Sequence, residues 1–246
     1  MIAAKDQVLE VWGDFACFTR PEMKVERFSY PLPTPSAARG IFDAIYCKPS
    51  RDGLSSEFRW QVTKIELLSQ PKYISLRRNE VKDKASIPMG WITGQSQPEP
   101  ILADVTSGTE KGRTQRQTMA LKDVRYRLHA KVCPFPGFED RIQAIEAQFR
   151  RRASNGKCVH QPYFGCREFP AFFELVEVGE PPTDTVPLDI DVGLMLYDVF
   201  DLSGPGTSTS PVKISLFRAE VKNGVLDIPP YESDTVMKAQ GGGACA

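Results

Sequence analysis

Stretches of two-residue and of helical hydrophobic periodicity follow one another along this 246-residue chain in an order that few folds accommodate. Residues 7 to 19, QVLEVWGDFACFT, set Val8, Val11, Phe15 and Ala16 among polar neighbours and read as a strand broken near Gly13. Thr34 is a good N-cap and Pro35 suits the first helical position. Ala37, Ile41, Ala44 and Ile45 then recur at helical spacing up to Tyr46, before Pro49 stops the run. Residues 58 to 68, FRWQVTKIELL, give a second strand, and residues 119 to 133 a third, with Val124, Tyr126, Leu128, Ala130 and Val132 on one face. A second helix spans about 138 to 152, with Ile142, Ile145 and Phe149 inward and Arg150, Arg151 and Arg152 at the end where cations suit the helix dipole. Residues 168 to 178, EFPAFFELVEV, give a fourth strand. The expected class is therefore α+β, in the β-α-β-β-α-β order of a ferredoxin-like (RRM-like) fold.

Two regions lie outside that pattern. From Tyr73 to about Thr118 the periodicity fails, and a long insertion is expected between the second and third strands; such stretches are usually functional or disordered. Beyond a loop at Gly179 to Pro187, residues 188 to 202, 211 to 221 and 224 to 229 read as three strands. Asn223-Gly224 is a hairpin signal joining the last two. The expected organisation is a domain over 1–187 and a small antiparallel β domain over 188–246, ending in a glycine-rich tail at Gly241 to Gly243.

Charge divides the chain at the same place. Residues 1 to 167 hold 27 Lys and Arg against 18 Asp and Glu, a net of +9, while residues 168 to 246 hold 4 against 13, a net of −9. A basic body with an acidic end suits a polyanionic partner on one side, with solubility tuning as the plain alternative. No apolar run is long enough to span a membrane and the first residues lack a secretory signal, so a soluble, cytoplasmic protein is expected. The six cysteines (17, 47, 133, 158, 166 and 245) contain no C-x-x-C pair. Cys158, His160 and Cys166 match no zinc spacing, and neither metal nor cofactor is expected.

The cations define candidate RNA contacts. Arg125, Arg127 and Lys131 share one face of the third strand with His129, either as a phosphate-binding surface or as an ordinary solvated face. No RNP-like aromatic motif accompanies them. Arg77, Arg78, Lys82, Lys84, Lys111, Arg113 and Arg116 populate the insertion, and Arg39 lies on the first helix. The catalytic inventory is short. His129 and His160 are the only histidines, and no nucleophile elbow, P-loop, dinucleotide fingerprint or H-E-x-x-H is present. RNA cleavage by such a chain is expected to need no metal: the 2′-OH attacks the adjacent phosphate, with a base, cations on the developing dianion and an acid at the leaving oxygen.

The stretch FSYPLPTPSAARGIFDAIYCKP, the segment GRTQRQTMALKDVRYRLHAKV and the tail QGGGACA together resemble the Cas five family, subtype d, the Dvulg group of type I-C CRISPR systems, over essentially the whole chain. The resemblance implies a ferredoxin-like domain joined to a small C-terminal sheet. It also implies a metal-independent endoribonuclease that cuts precursor CRISPR RNA (pre-crRNA) at the repeat hairpin. The products would be a 2′,3′-cyclic phosphate and a 5′-OH, and the protein would stay on the 5′ handle as a Cascade subunit. The implied partners are pre-crRNA, the crRNA 5′ handle and other type I-C subunits, with duplex DNA as a further candidate. The family's tyrosine matches Tyr46, and its Lys-His pair falls at Arg116-Gln117, where Gln cannot transfer a proton. Either Arg116 stabilises the phosphate while Tyr46 and Lys122 or His129 handle protons, or cleavage is slow. A non-catalytic RNA-binding subunit, and a small-molecule enzyme or binding module on a ferredoxin-like scaffold, are the alternatives.

Overall fold

The computed structural model describes residues 4–23, 25–49, 56–81, 87–97, 113–176, 184–206 and 210–238. Its strands and α-helices are β1 (Gln7–Ala16), β2 (Arg27–Phe28), α1 (Pro35–Ile45), β3 (Phe58–Leu67), β4 (Lys72–Val81), α2 (Met89–Ile92), β5 (Arg113–Pro134), α3 (Ile142–Ala153), β6 (Phe172–Leu175), β7 (Ile190–Asp198), β8 (Ser215–Val221), β9 (Val225–Asp227) and β10 (Met237–Lys238). This is a mixed α/β architecture with antiparallel sheets and few helices.

The local rules act where the sequence places them. The Thr34 hydroxyl accepts from Ala37 N at 3.2 Å and Pro35 opens the first turn of α1, whose Ala38, Ile41, Phe42 and Ile45 are buried. Tyr46 leaves the helix with extended backbone, while its N–H still donates to Phe42 O.

β5 is the spine of the larger sheet. β1 runs antiparallel along one edge, from Gln7 opposite Ala130 to Ala16 opposite Leu121. The other edge carries two strands end to end: β3, from Phe58 opposite Pro134 to Leu67 opposite Tyr126, and then β4, from Lys72 opposite Lys122 to Val81 opposite Arg113. With β6 on β1 and β9 on β3, the order is β6-β1-β5-β3-β9, and the short β2 pairs in parallel with Thr118 and Met119. Val124, Tyr126, Leu128, Ala130 and Val132 are buried in one hydrophobic core with Phe42 of α1 and Phe149 of α3.

Three expectations are corrected here. The insertion begins and ends as an ordered antiparallel ribbon, β4 against β5, so the third strand starts at Arg113 rather than at residue 119. Among the described residues the fourth strand is Phe172–Leu175: it starts late because Pro170 lacks the N–H that a ladder needs, and residues 177 and 178 of the expected strand lie outside the described residues. The segment after Asn223-Gly224 turns as expected, with positive φ at both residues (48° and 75°) and reciprocal bonds between Lys222 and Val225. It then pairs with β3 instead of completing the small sheet, whose order is β10-β8-β7.

Tyr197 and Phe217 of that sheet belong to the same continuous core. Gly165 has φ +78°, and a Cβ there would stand 2.1 Å from Cys17 O, so only glycine lets the 164–166 segment lie against the end of β1. No helix among the described residues is long and apolar enough to cross a membrane.

Candidate functional site

Tyr46 is half-buried at the end of α1, its ring centroid 5.8 Å from that of Phe58, while its carbonyl accepts the Trp60 indole N–H at 3.0 Å. Its hydroxyl makes no hydrogen bond to any described residue. Burial raises the phenol above its ordinary value and the buried Glu57 adds to the shift, against the opposing pull of Arg152 and Arg141. The phenol is therefore protonated at neutral pH and suited to donate.

Cations surround this end of the helix. Glu57 accepts from Arg141 Nη1 and pairs with Lys48 Nζ, each at 3.1 Å, and Arg152 Nε donates to Ile45 O at 2.7 Å. A phosphate drawn beside Tyr46 would meet positive charge where a cleavage transition state gains negative charge. Sequence reasoning took Arg152 only as a helix-end cation and missed Lys48 and Arg141. Their common anchor, Glu57, is distant from Arg141 in the chain, and only the fold joins them.

The other candidates lie elsewhere. Arg116 and Gln117 sit on the ribbon, opposite Arg78 and Arg77. Arg116 Nε is 3.4 Å from Glu80 Oε2; the Gln117 amide donates to Ser75 Oγ at 2.9 Å, and its backbone N–H donates to Glu26 Oε2 at 3.0 Å. Phe58, beside Tyr46, pairs with Pro134 at the far end of β5, roughly 55–60 Å of strand path away at ~3.3 Å per residue. His129 alternates with the core residues Leu128 and Ala130, so it faces the side of the sheet away from α1, where its Nε2 lies 3.1 Å from Glu66 Oε1. Lys122 is exposed beside Asp123. The structure does not bring these four residues to Tyr46.

Several candidate RNA contacts are already committed to carboxylates. Glu10, Arg127 and Glu66 stand in line across β1, β5 and β3, and Arg127 is only 5% exposed. Burial would raise the Glu66 carboxyl, but hydrogen bonds from His129 and Lys64 overcome it and hold Glu66 at about 2. Arg125 binds Glu10, and Lys131 lies 3.5 Å from Asp6. Arg39 is held by Asp198 and Asp43. Arg78 binds Glu168 and lies 3.4 Å from Glu80. Arg77 and Lys122 remain exposed on the ribbon, and Lys72 stands directly opposite Lys122, a like-charge pairing that an anion would relieve. Lys82, Lys84, Lys111 and the Gly241 to Gly243 tail lie outside the described residues; Arg113 is placed only as the first residue of β5.

A family model described as CRISPR-associated protein (Cas_Cas5) matches residues 8–229. The chain belongs to the Cas5 family. This Cas5 chain is 39% identical over 236 residues to a Mannheimia succiniciproducens protein named CRISPR pre-crRNA endoribonuclease Cas5d, with 94% of this chain and 97% of the relative covered. It is 36% identical over 251 residues to a Thermus thermophilus protein of the same name, with 96% of each covered. Two solved structures share the fold: one described as a CRISPR-associated protein (TM-score 0.63, 22% identity, 96% of this chain and 98% of that one) and a functionally uncharacterized protein from Streptococcus mutans (TM-score 0.60, 20% identity, 96% and 100%).

Proposed function

We propose that this Cas5 chain is a pre-crRNA endoribonuclease of a type I-C CRISPR system, cutting at the repeat hairpin without a metal ion. The observation that carries the reading is the likeness, over nearly the full length of both chains, to two relatives named pre-crRNA endoribonuclease. The geometry supports the chemistry. A protonated phenol with no hydrogen-bond partner among the described residues stands among Lys48, Arg141 and Arg152, where it can donate to the leaving 5′ oxygen while the cations take the phosphate charge. The 2′-OH attack leaves a 2′,3′-cyclic phosphate and a 5′-OH. The test is Tyr46→Phe assayed with labelled repeat RNA in EDTA: cleavage is lost while binding is retained, and full activity in the variant removes Tyr46 from the mechanism.

One observation favours a second reading, a structural subunit that grips the crRNA 5′ handle within Cascade. Gln117 occupies the place where the resemblance sets a histidine, and it is hydrogen-bonded on the ribbon, away from Tyr46. Repeat RNA left uncut by the wild-type protein after long incubation selects this reading. In either case the exposed Arg77 and the Lys72–Lys122 pair are proposed as phosphate contacts. The order β6-β1-β5-β3, with α1 and α3 against its buried side, supports a ferredoxin-like unit; the separate β10-β8-β7 sheet speaks for a division near residue 187, and the β9–β3 pairing and the continuous core speak against it.

A further inference from the structure

A cavity of about 780 Å³ opens between α1, the 160–167 segment and the end of β7, and the proposed function does not use it. Its volume lies in the range of pockets that take small organic ligands. Its floor carries Arg39 between two carboxylates. Asp198 is saturated: Oδ2 takes Arg39 Nε at 3.0 Å, and Oδ1 takes the Val199 and Phe200 N–H groups at 2.8 and 3.0 Å. Asp43 is not. Its Oδ2 takes Arg39 Nη1 at 2.9 Å, and its Oδ1 has no partner among the described residues.

Two aromatic side chains line the cavity while remaining open to solvent, Tyr163 at 42% and Phe200 at 44% exposure. Arg167, exposed and without an ion pair among the described residues, lines it as well. Cys47, next to Tyr46 in the chain, borders the same space. An acceptor-only group in the lining, with two aromatic rings and a guanidinium in the same lining, suits a nucleotide. A carboxylate selects a base that donates, and guanine alone offers two adjacent donors on its pairing edge, N1–H and the N2 amino group.

We propose that this cavity seats one unpaired guanine of the RNA, with Asp43 accepting from its N1–H and N2 groups, Tyr163 and Phe200 covering its faces and Arg167 taking the adjoining phosphate. The proposal rests on the endoribonuclease reading, since it makes the pocket the site where that enzyme identifies a base beside the Tyr46 end. Arg39 neutralises one of the two floor carboxylates, so a polyanion meets a single residual negative charge, opposed by Arg167 at the mouth.

The experiment uses the full-length protein and a type I-C repeat RNA in which each unpaired guanosine is replaced in turn by inosine, which lacks the N2 amino group. At one position inosine weakens binding by about tenfold. Asp43→Asn reduces that penalty to below about twofold, and Tyr163→Ala, at an exposed position that does not threaten folding, weakens binding of the guanosine RNA by about tenfold. If inosine is tolerated at every position, or its penalty survives in Asp43→Asn and Tyr163→Ala leaves affinity unchanged, the pocket assignment is overturned while the enzyme reading stands. If the wild-type protein neither binds nor cuts the unmodified RNA, the enzyme reading is overturned and the pocket falls with it.

Discussion

Arg39 gives the sharpest contrast between a residue that binds RNA and one that holds the protein together. Its guanidinium ties α1 to β7 through Asp198, which is 1% exposed, and reaches Asp43 on its own helix. Arg39→Met keeps most of the buried stem and deletes the charge, leaving the buried Asp198 carboxyl with only its two backbone N–H donors. Removing one partner of a buried pair costs about 3–5 kcal/mol. The two surviving donors place this case at the lower end, about 3 kcal/mol, and the half-exposed Asp43 arm adds only a few tenths. For a chain of this length that lowers Tm by about 6–12 °C. Urea unfolding and calorimetry measure the loss. Adding Asp198→Asn, which retains the backbone caps without a buried charge, should restore about half of it. The slope of RNA affinity against salt should not change if the guanidinium, already held by Asp198 and Asp43, leaves the phosphates to other cations. A variant that melts within 2 °C of wild type, or a salt slope reduced by about one, would refute this account.

Other expectations follow from the same geometry. The depressed Glu66 carboxyl stabilises the fold above its unfolded value of about 4.5, and this contribution disappears as the pH falls through about 2; Glu66→Gln should therefore flatten acid unfolding between those limits, by up to about 3 kcal/mol, and unchanged acid titration by circular dichroism would contradict the ion-pair row. Gly165→Ala should cost about 3 kcal/mol or more in chemical denaturation, since its Cβ would overlap Cys17 O in a left-handed backbone; wild-type stability would mean the segment does not lie there. Gln117→His should alter the cleavage rate by less than about twofold, because the side chain sits on the ribbon rather than beside Tyr46, whereas a gain of about 10²-fold would show that the ribbon reaches the phenol during catalysis.

The parts of the fold legible in the sequence are those where one face meets the core. Thr34, Pro35 and the spacing of Ile41 and Ile45 define α1, and the alternation from Val124 to Val132 defines the body of β5. The ribbon was not legible because contrast between its faces is weak: Tyr73, Ser75, Arg77 and Asn79 are exposed, and the opposite face still carries Arg78 and Glu80. β9 was recognisable as a strand after its turn, but alternation carries no information about which sheet edge a strand joins. Tyr46 was found through resemblance and its position at the helix end. The neutralisation of Arg127 was hidden, because Glu10, Arg127 and Glu66 fall into one row only once the register of three strands is known.

The end-to-end placement of β3 and β4 along one edge of β5 separates two kinds of evolutionary freedom. Residues gained or lost in pairs at the outer end of the ribbon leave every side chain nearer the body pointing as before, so the reach of the arm can be retuned without repacking the interior. A single residue inserted near Asp123, where β5 takes a positive φ of 54°, would reverse the orientation of everything beyond it. Lengths that vary among relatives should therefore accumulate at the tip and be rare at the elbow.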